Sequence, residues 1–313
     1  MRRIIPSTQS LACFEAAARH QSYTRAAQEL ALTQSAVSRQ IIALEEQLGV
    51  PLFKRSRHGM VLTPAGHQYS QQVAQWLQGI ERGTLDIMAH QGAGGAISIA
   101  AVPTFATRWL LPRLPQFLQQ HPGIVVHIDV QTRPFVFAEL QVDAAIYTGT
   151  PEQARRWPGT QATWLMDEII VPVCSPGLLE PRTQRGRGRA YQPVAPAVLT
   201  QWPLLQQSTR PDGWRQWFDA AGVEEAPNAL DGPRYELFSM LAVAAAQGLG
   251  VALIPPMLIE DELARGELVI ACNQPLKGSR AYYLMTPLTT AEAPAQEVVA
   301  VFAQWLVGRA TSG

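Results

Sequence analysis

Residues 32–41 read "LTQSAVSRQI". Val37, Ile41, Leu44 and Leu48 recur at i, i+4, i+7 and i+11, which predicts a helix with one narrow apolar stripe. At about 100° per residue, Ser35, Arg39 and Glu46 fall on the opposite side, flanked by Gln34 and Ser38. Thr33 suits the N-cap, and Gly49 followed by Pro51 gives the stop. The stripe explains how the helix is held. The polar face needs another reason.

The neighbours supply one. Ser7 can cap a helix running to about His20, with Leu11, Phe14 and Ala18 at helical spacing, and Tyr23 to Leu30 is short, Ala-rich and helical. Two short helices joined by a tight turn, the second with a polar leading edge, form a helix-turn-helix. Gln34 and Arg39 can pair bidentately with adenine and guanine edges, and Ser35 and Ser38 can donate or accept. Leu52-Phe53 and Met60-Val61-Leu62 flank a basic turn with Gly59 and read as a small hairpin. With Thr33 at the helix start, Lys54, Arg55, Arg57 and His58 would meet phosphates, giving affinity without sequence information.

Residues 14–66, "FEAAARHQSYTRAAQELALTQSAVSRQIIALEEQLGVPLFKRSRHGMVLTPAG", resemble the winged helix-turn-helix of LysR-type transcriptional regulators. Ala26-Ala27 with Leu30, Gln34 to Ser38, Leu44-Glu45 with Leu48-Gly49, Leu52-Phe53 with Arg55, and Leu62 to Gly66 carry the resemblance. The family pattern commonly has proline at or just before Ala36. "FATRWLLPRLPQFLQQHPGI" (105–124) and "AAAQGLGVALIPPMLIEDELARGEL" (244–268) resemble effector domains of the subgroup of glycine-cleavage activators and β-lactamase regulators. The resemblance implies a homotetramer, DNA bending and a small-molecule inducer. It also implies a regulatory domain like a periplasmic binding protein, with two α/β lobes and a cleft between them. The segment 181–198 is longer and more Arg-rich than in that subgroup.

Thr63-Pro64 starts a helix that continues to about His90. Its residues Tyr69, Val73, Trp76 and Ile80 repeat at four-three-four spacing and form an apolar seam. The seam either pairs with a second copy of the chain or packs on its own domain; dimerisation is the expectation. "QGAGGA" (91–96) reads as a hinge. Beyond it strands and helices alternate, the pattern of an α/β fold. Strands are expected at 97–102, 124–130, 144–147, 168–174, 204–206, 251–254 and 282–286. Helices are expected from Trp109 to Phe117 and at 135–140, 214–220, 236–248, 257–265 and 293–306, with 181–198 an exposed loop. The domains are therefore 1–66 for DNA, 67–96 for linker and dimerisation, and 97–313 for the effector. Lobe I takes about 97–167 and 268–313, and lobe II about 168–267.

The chain has 313 residues and no net charge, with 25 basic and 25 acidic side chains. The balance is uneven: eight basic residues stand against four acids through Gly66. A basic head on a mildly acidic body points to a polyanion partner for the head only. Cys13, Cys174 and Cys272 lie far apart with no CxxC spacing, which excludes a disulfide framework and the common zinc patterns. The start has no signal-peptide run and no segment approaches about 18 apolar residues, so a cytoplasmic chain without membrane contact is expected. Neither GxSxG nor HExxH occurs, "GAGG" lacks dinucleotide spacing, and the histidines show no metal spacing. No catalytic residue, metal or cofactor is assigned.

Ligands of open α/β sheets bind beyond the carboxyl ends of the strands. Those ends are Thr104-Phe105, Thr132, Tyr147-Thr148 and Ser208-Thr209, which make up the expected effector site. Thr104 precedes a helix N-terminus, and Phe105 and Tyr147 supply apolar walls. Thr107 reads as a helix cap, and Arg133, Arg210 and Arg234 as solvated surface residues. The partners expected are double-stranded DNA, further copies of the chain, RNA polymerase if the chain activates, and a small polar or anionic metabolite. A carrier protein with a helical appendage and an enzyme using the cleft are the competing readings.

Overall fold

The structure, a computed structural model, describes residues 4–56, 59–90, 95–133, 135–137, 140, 142–179, 192–288 and 294–311. It divides into two compact units, residues 1–93 and 94–313.

In the first unit, helices α1 (Thr8–His20), α2 (Tyr23–Glu29) and α3 (Gln34–Leu48) precede the hairpin β1 (Phe53–Ser56) and β2 (Gly59–Leu62), and α4 (Pro64–His90) follows. The caps explain the starts. Ser7, Ser22 and Thr33 accept the backbone N–H groups of Ser10, Arg25 and Ala36. Gly49 ends α3 at φ +70°, a left-handed position that glycine takes without strain. Val37, Ile41 and Leu44 are buried with Leu11, Phe14, Ala26 and Leu52 in one core. Gly66 closes it. A Cβ there would sit 2.0 Å from the Leu52 carbonyl oxygen, so only glycine lets α4 start against the hairpin.

The helix α4 does not present one seam. Val73 is fully buried in this unit's own core, and Tyr69 packs on it, ring to ring with Phe14 at 5.6 Å. Trp76 and Ile80 stay 44% and 52% exposed. The expectation that all four form a dimer contact is corrected for Val73, which is fully buried at home, while Tyr69 is half-buried against the same core.

The second unit holds two half-sheets that share two long strands. The segments are β3 (Ala96–Ala101), α5 (Pro103–Phe105), a π-helical turn (Ala106–Leu110), α6 (Leu111–Gln120), β4 (Val125–Val130) and β5 (Ala144–Gly149). They continue with α7 (Pro151–Arg155), β6 (Thr160–Cys174), α8 (Pro176–Leu179), β7 (Leu204–Gln207), α9 (Gly213–Ala220), β8 (Arg234–Tyr235) and α10 (Phe238–Ala246). Last come β9 (Val251–Ile254), α11 (Glu260–Ala264), β10 (Val269–Ile270), β11 (Leu276–Pro287) and α12 (Pro294–Thr311). Lobe I orders its strands β4–β3–β5–β11–β6; lobe II continues from β6 through β9 and β7 to β8, with β10 also on β6. Between Lys277, opposite Ile169, and Ala281, opposite Asp167, β11 carries three residues where β6 has only Glu168. This bulge lies where both strands pass from one lobe to the other. Bulges re-aim side chains.

Three local expectations fail. Phe135–Leu140 is no helix among its described residues. Phe135 and Phe137 both pack on Trp157, whose indole N–H donates to the Phe135 carbonyl at 2.6 Å. A helix would turn residues two apart about 200° from each other. Thr107 caps nothing; its hydroxyl donates back to the Pro103 and Thr104 carbonyls. In the segment 181–198, residues 196–198 begin a 3-10 helix (Pro196–Gln201), while 181–191 lie outside the described residues, as do 91–94 of the hinge.

Candidate nucleic-acid interface and effector cavity

In the first unit, α3 turns Gln34, Ser35 and Arg39 outward, all exposed, with Ser38 half-buried beside them. Arg39 Nε reaches back to the Ser35 carbonyl at 3.4 Å, and no described ion pair takes the guanidinium. The Thr33 hydroxyl is engaged as the cap and meets Ser35 Oγ at 3.1 Å. Gln34, Ser38 and Ile42 face a groove whose far walls are Ser22 to Thr24 and the exposed Lys54 of β1. The Arg55 side chain, Arg57 and His58 lie outside the described residues. Sequence reading missed the clamp that sets the hairpin beside α3: Glu45 Oε1 accepts the Leu52 and Phe53 N–H groups at 2.6 and 3.0 Å. The arrangement presents amide, hydroxyl and guanidinium groups on a rigid helix, next to a lysine. Such groups can hydrogen-bond base edges and phosphates.

In the second unit a cavity of about 160 Å³ opens between the lobes at the carboxyl ends of the strands. Of the residues expected there, Thr104, Phe105, Thr132, Tyr147, Thr148 and Thr209 line it. Ser208 does not: its backbone N–H pairs with the Tyr235 carbonyl and its side chain is exposed. Phe105 is stacked between Trp109 and Tyr282, each at 4.8 Å, so it builds the floor. Burial pushes the Tyr282 phenol well above its ordinary range, and the Glu168 carboxylate adds to that. Tyr147 stands edge-on to Trp157 at 5.0 Å, beside Phe135.

The threonine hydroxyls are mostly engaged. Thr104 Oγ1 accepts the Ser239 N–H at 3.2 Å and donates toward Ser239 Oγ at 3.4 Å, tying lobe I to the first turn of α10. Thr209 donates to Gln207 Oε1 at 2.9 Å and accepts from Arg210.

Charge is where reading from sequence alone went furthest astray. Arg210 is no surface arginine. Its side chain is 15% exposed, makes a bidentate pair with Glu168, itself 4% exposed, and lies 4.8 Å over the Phe238 ring. Burial opposes the Arg210 charge, but Glu168 outweighs it and holds the pKa above the ordinary arginine value. Arg280, aimed by the bulge of β11, lines the same cavity and donates to the Thr148 carbonyl at 2.7 Å. Its Nε is buried, 3.7 Å from Glu168, and makes no hydrogen bond among the described residues. Burial, then the Arg210 charge, lower its pKa. Arg133 and Glu236 stand exposed at the rim, and Arg234, exposed, meets only the Leu230 carbonyl among the described contacts. Among the described residues no cluster of His, Cys, Asp and Glu could hold a metal, and no helix is long and apolar enough to cross a membrane.

Residues 8–67 match the family described as "Bacterial regulatory helix-turn-helix protein, lysR family", and residues 90–310 match the "LysR substrate binding domain". The glycine cleavage system transcriptional activator of Escherichia coli K12 is 34% identical over 313 residues, covering 100% of this chain and 96% of that protein. The solved effector domain of the transcriptional regulator AmpR from Pseudomonas aeruginosa superposes with a TM-score of 0.58 at 27% identity, over 70% of this chain and 96% of that one. Full-length CbnR, solved in complex with its target DNA, has a TM-score of 0.70 over 97% of this chain and 99% of its own, at 21% identity, which speaks for the fold. A winged helix-turn-helix, a two-lobed α/β domain and relatives that are regulators rather than enzymes agree: the chain belongs to the LysR family of ligand-responsive, DNA-binding transcriptional regulators.

Proposed function

We propose that this regulator works in the cytoplasm, where it binds a pseudo-palindromic promoter site as an oligomer. It changes transcription when a small polar or anionic metabolite occupies the inter-lobe cavity, contacting RNA polymerase if it activates. Gln34, Ser35, Ser38 and Arg39 read bases, while Thr33, Lys54, Arg55, Arg57 and His58 meet phosphates. Two heads are needed because one recognition helix covers only a few base pairs. The outer face of α4, with Trp76 and Ile80, is the proposed contact between copies, and a two-fold contact mirrors a palindromic site. The observation that carries the reading is α3 itself: capped at both ends, clamped to the hairpin through Glu45, and outward-facing in its polar groups.

Footprinting on the promoter beside its own gene tests it. The wild-type chain should protect two half-sites about one helical turn apart. Arg39→Ala should weaken specific binding by about 1–3 kcal/mol and relax preference at one base step. Absence of any protected site at physiological salt, in every ligand state, would favour the carrier reading instead.

A further inference from the structure

We propose that the effector is a small carboxylate, held by its anionic end against Arg280, with an apolar body about the size of one ring against Tyr147, Trp157 and Phe135. This rests on the inter-lobe cavity being the effector site. Three observations carry it. First, two inner guanidinium groups, Arg210 and Arg280, line the cavity beside Glu168, a carboxylate that stands outside its lining, while Arg133 and Glu236 add one exposed charge of each sign at the rim. Glu168 is bound bidentately by Arg210 and lies 3.7 Å from Arg280 Nε, so one carboxylate serves two guanidinium groups and a net positive charge remains at the cavity. A partly buried excess of positive charge is unfavourable, and a bound anion relieves it. Second, Arg280 Nε is a buried donor with no acceptor, although Nη2 is fixed on the Thr148 carbonyl. A carboxylate oxygen supplies that acceptor in charge-assisted form. The hydroxyls of Thr104 and Thr209 already donate elsewhere, so the cations are the cavity's strongest donors.

Third, the size and the remaining wall define the rest of the ligand. The cavity measures about 160 Å³. An apolar cavity of about 150 Å³ is known to hold benzene. Tyr147 and Trp157 meet edge-to-face at 5.0 Å and Phe135 and Trp157 at 5.2 Å, a preformed aromatic corner that favours a compact apolar body.

Calorimetric titration of the full chain with benzoate and cyclohexanecarboxylate, each beside its own neutral amide, tests the assignment. Each acid should bind at least tenfold more tightly than its amide. Arg280→Met should bring that ratio to within about twofold, and Arg280→Lys should keep part of it. Thermal unfolding of both variants checks that they fold, and Arg280→Lys carries the test if Arg280→Met does not. Thr132→Trp, placed at the exposed mouth, should abolish binding of acid and amide together. Equal binding of acid and amide, a preference that survives loss of the Arg280 cation, or no heat from either acid would overturn the carboxylate assignment. None of these touches the cavity reading. Acid binding unaffected by both Arg280→Met and Thr132→Trp would place the probe elsewhere and overturn both.

Discussion

The two halves of α4 should respond in opposite ways to the same truncation. Val73 is fully buried in the core of its own head, so Val73→Ala removes about two methyl groups' worth of burial, near 1.6 kcal/mol at ~0.8 kcal/mol per carbon. The residual cavity raises this to about 2–3 kcal/mol. Ile80 is half exposed, so Ile80→Ala should change the head's own stability by less than ~0.5 kcal/mol. If Ile80 completes its burial against a second copy, each chain loses about 1 kcal/mol, and two-fold symmetry doubles it. About 2 kcal/mol corresponds to roughly 30-fold weaker association. Hydrogen exchange of the α1 amides reads the head's stability, and sedimentation equilibrium of the full chain reads assembly. Val73→Ala should accelerate exchange without weakening assembly of the folded chain, and Ile80→Ala should do the reverse. Ile80→Ala that assembles like wild type, or Val73→Ala with unchanged exchange, would refute the division of the helix.

Glu168→Gln should destabilise the second unit by about 2–4 kcal/mol, because it leaves Arg210 and Arg280 without their carboxylate; urea unfolding at low and high salt should show the loss at both, since buried pairs are screened little. Lys54→Ala should weaken binding to all DNA sequences alike and reduce the salt slope by about one, measured by anisotropy across a salt series. Arg19, then His20, hold the Glu29 carboxyl at about 2, below its ordinary value. Its folded pKa is depressed, so this contribution is present above the unfolded carboxylate value near ~4.3 and is lost as pH falls toward 2. In an NMR titration Arg19→Met should return the Glu29 midpoint toward the ordinary carboxylate range.

The helices of the first unit were legible because their information is local. The stripe Val37, Ile41 and Leu44 and the caps Ser7, Thr33 and Gly49 all act within one or two turns. Periodicity cannot say what a stripe faces, however, and Tyr69, Val73, Trp76 and Ile80 look alike until the first two meet Phe14 and the head's core. The second unit was legible in alternation but not in its long strands. Residues 160–167 and 276–280 carry polar and exposed positions, and their strand character comes from distant partners: 160–167 pair with 281–287, and Leu276 and Lys277 pair with Ile170 and Ile169 on either side of the bulge. The cavity's position followed from strand ends, so Thr104, Tyr147 and Thr209 were found. Its charge did not. Glu168 and Arg210 are 42 residues apart, Arg280 and Thr148 are 132 apart, and a β-bulge brings Arg280 into the cavity. No short-range pattern records those pairings.

The most direct test is the coupling between the cavity and the operator. Binding at one site must alter binding at the other reciprocally, with couplings commonly of about 1–3 kcal/mol. Operator affinity and footprint boundaries of the full chain should be measured at fixed salt, with and without a saturating cavity ligand, for wild type and Thr132→Trp. The wild type should change its affinity by about fivefold or more, or change its footprint, and Thr132→Trp should do neither. A wild-type chain that binds the ligand with no change at the operator, or a blocked cavity that still responds, would contradict the cavity's role as the sensor.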